Sequence, residues 1–221
     1  MKKILFIVSF CLLSCSENRT LQKISSIENP NFVLIFMDDL GYGDIMQFGS
    51  INYETPHINR LAKEGMLFTN FYSVQAVCSA SRAALLTGCY SNRIGISGAL
   101  MPYSTTGLNE NEITIAELLK EKGYATSIFG KWHLGFQEKF LPLNHGFDTY
   151  LGLPYSNDMW PVDFDGNQIS DSSDWRKKSY PQLPLIENFK KIDEIRTLED
   201  QAKLTTLLTE RSVEFINNNK D

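Results

Sequence analysis

The sequence predicts an α/β fold with a mainly parallel mixed sheet flanked by helices, on two observations. Apolar runs without polar alternation recur along the chain, as strands buried on both faces of a sheet require. Between them lie segments of helical period, closed by glycines.

The run Phe32-Val33-Leu34-Ile35-Phe36-Met37 reads as the first strand, ending abruptly at Asp38-Asp39-Leu40-Gly41. Thr55-Pro56 then offers an N-cap and a first-turn proline; Ile58, Leu61 and Ala62 form a stripe, and Gly65 stops the helix. A strand follows from Met66 to Tyr72. Ser79 to Leu86 reads as a short alanine-rich helix closed near Gly88, and Glu112 to Lys122 as a third helix with Gly123 as C-cap. Its strand is Tyr124 to Phe129, leading into Gly130-Lys131-Trp132-His133. Residues 153–184 lack periodicity and read as a long surface loop. Leu185 to Ile195 reads as a hairpin turning near Asn188. Leu198, Ala202, Leu208 and Ile216 mark an amphipathic helix over Thr197 to Asn219.

The amino terminus has a separate logic. Lys2 and Lys3 precede an apolar run from Ile4 to Leu13, the layout of a secretory signal and too short to span a membrane. Cys15 follows the small residue Ser14 and resembles the lipobox cysteine of bacterial lipoproteins; an ordinary cleaved signal is the plainer alternative. Residues 1–15 are therefore expected to be signal and lipobox, with a lipid on Cys15 anchoring an exported protein in the periplasm or at the outer membrane. Residues 16–30 read as a polar tether and 31–221 as the folded domain. Without residues 1–14, 19 basic residues face 26 acidic ones, a net charge of −7, which argues against a nucleic-acid partner. Two of the four cysteines, Cys78 and Cys89, fall in the folded part, and in an oxidising compartment the plain expectation is that they pair.

Open α/β sheets place their sites at the carboxyl ends of strands. Asp38 and Asp39 sit at such an end. A turn of this kind often caps its own amides, but a hard divalent cation such as Ca²⁺ is the usual reason to hold two adjacent carboxylates ionised. Lys131 and His133 lie two apart, and in extended backbone both would aim at a common point; a solvated lysine and a hydrogen-bonded structural histidine are the plain alternatives. His57 and His145 carry no functional expectation. Cys78 opens a helix, where free amides and the positive dipole end favour anions. Arg82, four residues on, shares its face and adds a fork of donors.

Cys78-Ser79-Ala80-Ser81-Arg82, followed by Leu85-Leu86-Thr87-Gly88, resembles the signature of the sulfatase family, in its arylsulfatase A-like branch. Alanine at 80 stands where proline is commoner. Asp38-Asp39-x-Gly-x-Gly-Asp44, Gly130-Lys131-Trp132-His133-Leu134-Gly135 and Leu153-Pro154-Tyr155-Ser156-Asn157-Asp158 are similar to further family segments. The similarity thus runs from about Asn31 to the end of the chain. It implies an alkaline-phosphatase-like sulfatase domain that hydrolyses sulfate esters of sugars or aryl groups. It also implies that a formylglycine-generating enzyme oxidises Cys78, and that the formylglycine hydrate supplies the nucleophile. A disulfide to Cys89 would consume that group. Asp38, Asp39 and the group at Cys78 are then the Ca²⁺ ligands, and Arg82 holds the hydrate. Lys131 and His133 touch hydrate and sulfate, and Ser156 contacts a sulfated small molecule or glycan.

Members of the family are longer. A second histidine, an Asp-Asn pair on the metal and a second lysine have no counterpart among these residues, so the domain is expected to be an amino-terminal portion with an incomplete site. Two other readings stand beside the enzyme: an inactive truncated sulfatase, and a lipoprotein that binds sulfated glycans without turning them over. Phosphoesterases of related fold usually place threonine or serine at the nucleophile position.

Overall fold

The computed structural model describes residues 29–170 and 174–220. The expected signal, the lipobox at Cys15 and nearly all of the tether lie outside the described residues. The chain divides into two units at Phe36/Met37. In the first, the described residues form no strand, and Phe32, Val33, Leu34 and Ile35 are 62–68% exposed. The strand expected over Phe32–Met37 is therefore absent. An apolar run suits a buried strand, but strand formation depends on cross-strand neighbours and burial that the run itself does not supply.

In the second unit, α1 (Pro56–Glu64) starts at the proline, whose missing N–H costs nothing there, and stops where the Gly65 amide donates to the Leu61 carbonyl. None of its residues is buried. The strand expected at Met66–Tyr72 does not form, and Met66, Phe68, Phe71 and Tyr72 are exposed.

The order of the packed elements follows from caps and close approaches. Helix α2 (Cys78–Thr87) buries Ser79, Ala80, Ala83 and Ala84, with Ala83 packed in one core cluster with Trp132 and Tyr150, and ends at Gly88 with φ +68°. Helix α3 (Ile115–Lys120) is shorter than expected, because Thr114 and Glu117 form a reciprocal capping box that sets its start three residues past Glu112. Strand β1 (Ser127–Lys131) begins later than expected and takes in Gly130 and Lys131. Its register is set by β2 (Thr149–Leu153), a strand the sequence reading did not foresee, paired from Ser127↔Thr149 to Lys131↔Leu153. Gly130 and Gly152 face each other, and a Cβ on Gly152 would lie 1.7 Å from the Gly130 carbonyl oxygen, so only glycine fits.

A short helix α4 (Trp175–Lys178), capped by the Asp174 carboxylate, interrupts the expected loop. The hairpin is present as β3 (Leu183–Glu187) and β4 (Lys190–Ile195). Asn188 turns it at φ +57° and joins it to β2 through both its amide and its side chain on Tyr150. Helix α5 (Leu198–Asn219) starts in a Thr197/Asp200 capping box.

The sheet order is β1-β2-β3-β4, with β1–β2 parallel and the other two pairs antiparallel, a mixed sheet with helices. Successive β2 side chains point to opposite faces. Tyr150 joins Trp132, Leu108, Leu134, Phe147 and Ala83 of α2, while Leu151 and Leu153 join Trp160, Val162, Leu183, Leu185 and Leu204 of α5. Both cores meet at the strands that end in the candidate site.

Candidate active site

Helix α2 opens at Val77, which supplies no side-chain cap, and its first turn is closed by the Ser81 amide on the Val77 carbonyl at 2.9 Å. The amides of Cys78, Ser79 and Ala80 therefore have no acceptor within the helix, leaving a positive dipole end at the half-buried Cys78 thiol. Cys78 and Cys89 are both free thiols, so the disulfide alternative is not formed.

One ligand atom each from Asp38, Asp39 and Cys78 lies within 4.8 Å of the others. Asp39 has φ +54°, a left-handed conformation uncommon outside glycine and often found at functional sites. Two cations close the cluster from the packed side. The Arg82 guanidinium donates to the Lys131 carbonyl at 2.6 Å and lies 3.5 Å from the Asp38 carboxylate. Lys131 Nζ donates to Asp38 Oδ2 and, at 3.1 Å, to Ser156 Oγ. Burial alone would raise the Asp38 carboxyl pKa, but the hydrogen bond and charge of Lys131, with Arg82 behind it, outweigh burial and hold it below the ordinary value. Asp38 thus stays ionised. Six of the seven residues singled out from the sequence, Asp38, Asp39, Cys78, Arg82, Lys131 and Ser156, share one neighbourhood.

His133 reaches the same neighbourhood by another route. It has φ +58°, so the extended backbone assumed between Lys131 and His133 is not what places it. Instead the Trp132 amide donates to the Leu153 carbonyl at 2.9 Å and the His133 amide to the Pro154 carbonyl at 3.1 Å, carrying the β1–β2 ladder past the strand ends. The ring is 1% exposed, with Nε2 2.7 Å from the Leu100 carbonyl and Nδ1 without a hydrogen-bond partner. Burial first, and the charge of Lys131 second, push its pKa down to about 4 despite the Leu100 carbonyl, so the ring is neutral at pH 7. Its charged neighbours are Lys131, Arg82 and Asp38, the groups of the cluster itself.

Leu100 is held in turn by its own amide, which donates to Ser79 Oγ at 3.0 Å. Neither Ser79 nor Leu100 was flagged from the sequence. A backbone carbonyl carries no residue signature, and a serine in a helical first turn looks ordinary. His145, from which nothing functional was expected, is buried and stacks on Trp132 at 5.8 Å.

The donor set suits a hard cation in part. Two carboxylates, one held ionised, are what Ca²⁺ selects, whereas a thiol is a soft ligand; an oxygen in place of the Cys78 sulfur makes the third position consistent with the other two. The basic side chains beside it match a tetrahedral anion.

Residues 30–221 match the family model described as Sulfatase. The chain is 48% identical to arylsulfatase A of Bos taurus over 141 residues, covering 62% of this chain and 28% of that protein. It is 38% identical to arylsulfatase G of Mus musculus over 199 residues, covering 85% of this chain and 37% of that protein. The crystal structure of Ps i-CgsB in complex with k-i-k-neocarrahexaose is similar at a TM-score of 0.64 and 30% identity, over 82% of this chain and 40% of that one. The chain thus spans 28–37% of the length of these two curated relatives.

Proposed function

This chain belongs to the sulfatase family, and from that premise we propose that it supplies the nucleophile and anion-binding side of a sulfuric ester hydrolase. The observation that carries the reading is the meeting of Asp38, Asp39 and Cys78 within 4.8 Å at the α2 amino terminus. Arg82 and Lys131 stand against that cluster.

The roles follow from what each group can do. A sulfate ester is an anion that repels nucleophiles, so its oxygens need donors in place before reaction. Lys131 Nζ, donating to Ser156 Oγ at 3.1 Å, and Arg82, donating to the Lys131 carbonyl at 2.6 Å, are held beside the cluster by these partners as well as by Asp38. Ser156, only 8% exposed, orients Lys131 and offers a hydroxyl to substrate. His133, neutral at pH 7, can take a proton at Nδ1. Asp38 and Asp39, with an oxygen at position 78, would hold Ca²⁺, which supplies positive charge to the sulfate oxygens. Formylglycine made from Cys78 by a maturation enzyme would supply the hydrated aldehyde as nucleophile.

The proposed substrate is a sulfated glycan, in line with the oligosaccharide named for Ps i-CgsB. Export and lipid anchoring at Cys15, with residues 31–221 as the catalytic-domain portion, remain part of the proposal on the sequence pattern alone.

The test is mass spectrometry of the peptide containing Cys78 after expression with a formylglycine-generating enzyme, paired with sulfate release from a sulfated oligosaccharide and an aryl sulfate. Loss of the sulfur with gain of an aldehyde oxygen, and sulfate release that Cys78→Ala abolishes, is the expected result. An unmodified thiol, or a Cys78–Cys89 disulfide, overturns it.

A further inference from the structure

The charges of the cluster are balanced within it. Asp38 and Asp39 bring two carboxylates, and Arg82 and Lys131 bring two basic groups. Both oxygens of Asp38 face a cation: Oδ2 accepts from Lys131 Nζ, and Oδ1 lies 3.5 Å from the Arg82 guanidinium. Lys131 Nζ also donates to the neutral Ser156 hydroxyl, so Asp38 is the charged partner that it touches. The Lys131 and Arg82 side chains are only 10% and 12% exposed, and salt screens such pairs less than pairs at the surface.

We propose that Asp38 and Lys131 are internal counter-ions that mask one another, so that Ca²⁺ at the carboxylates and a tetrahedral anion at the basic groups bind with positive cooperativity. The cooperativity rests on the sulfatase reading; the mutual masking does not.

A divalent cation that takes Asp38 competes for the oxygens that Lys131 and Arg82 already face, and it meets two positive charges. An anion that takes Lys131 and Arg82 meets the negative charge of Asp38 in the same way. Either ion alone therefore has to break the internal pair and leave one of its members without its counter-ion, which is costly for groups held largely out of water. Both ions together exchange the internal pair for two external ones, and that pair is broken once for two binding events. Linkage then requires that each ion tighten the other by the same factor. Direct attraction between the two ions also couples them, but it does not make either ion bind better alone when the opposite internal charge is removed.

The test is isothermal titration of the full, unmatured chain, whose Cys78 thiol turns over no ester. Calcium chloride and sodium sulfate are the probes, at an ionic strength held constant with sodium chloride. Lys131→Met keeps the length of the side chain and removes its charge; it should bind calcium roughly fivefold or more tightly than the unsubstituted chain in the absence of sulfate. Asp38→Asn keeps the shape and removes the carboxylate; in the absence of calcium it should bind sulfate tighter by roughly fivefold or more. In the unsubstituted chain, saturating sulfate should lower the calcium Kd, and saturating calcium should lower the sulfate Kd by the same factor. Calcium binding that is unchanged or weaker in folded Lys131→Met, or sulfate binding that is unchanged or weaker in Asp38→Asn, overturns the proposal. Should Lys131→Met fail to fold, Asp38→Asn decides, because Asp38 lies in a segment with no buried residue. Should calcium bind neither the unsubstituted chain nor Lys131→Met, the calcium assignment fails, and the sulfate titration of Asp38→Asn alone decides whether the two side chains mask one another.

Discussion

Within the second unit, the segment from Met37 to Cys78 and the segment from Ser79 onward are built on different principles. No residue of the first is buried, although it contains the apolar stripe of α1. The second holds both cores, with Trp132 and Leu134 on one face of the sheet and Val162 and Leu183 on the other. The candidate site straddles the two. Asp38 and Asp39 belong to the unburied segment, while Arg82, Lys131, His133 and Ser156 belong to the packed one. Ion pairs from Lys131 and Arg82 to Asp38 join them. The basic groups are thus held by packing, whereas the Asp38 carboxylate is held against them by charge.

The largest effect should come from the packed side. Trp132→Ala removes a side chain 1% exposed, together with its Nε1–H bond to the Phe140 carbonyl at 2.8 Å and its stack on His145. It should cost about 3–5 kcal/mol of unfolding free energy in urea denaturation. A loss under about 1 kcal/mol would show that the side chains around Trp132 do not pack as a core.

A middle-sized effect should appear on acidification. Unfolded, His133 protonates near its ordinary 6.5; folded, it resists until about 4. In that window the unfolded state binds the additional proton, so stability falls as pH is lowered, by at most about 1.4 kcal/mol per pH unit from this group. Burial also lowers His145, which adds in the same direction. Urea midpoints at pH 7, 6 and 5 should decline, and His133→Gln should flatten the decline. A midpoint that rises on acidification would contradict a neutral buried ring.

The smallest effect belongs to the unburied segment. Leu61, on the α1 stripe, is 62% exposed, and Leu61→Ala should change stability by no more than about 0.5 kcal/mol. A larger loss would mean that α1 rests on an apolar partner, and the contrast between the segments would dissolve.

The parts legible in the sequence were those specified locally. Gly65 and Gly88 stop their helices where expected, Asn188 turns its hairpin, and Thr197 starts the last helix, because caps and turns act over three or four residues. The apolar runs at Phe32 and Met66 form no strand for the opposite reason: strand formation depends on cross-strand neighbours and burial, which a local run does not supply. Strand β2 escaped notice because it is five residues long and contains Gly152, a residue that weakens a strand except where another backbone comes close, as Gly130 does.

The chemical groups present and the family resemblance are written in the primary structure, since the identities of Asp38, Asp39, Cys78, Arg82, Lys131, His133 and Ser156 need no coordinates. How they stand toward one another comes from long-range packing. It set Lys131 between Asp38 and Ser156, turned His133 to φ +58°, and gave its Nε2 to a carbonyl 33 residues away. Contacts over such separations depend on the packing of the whole sheet, and a backbone carbonyl looks the same in every residue that carries one.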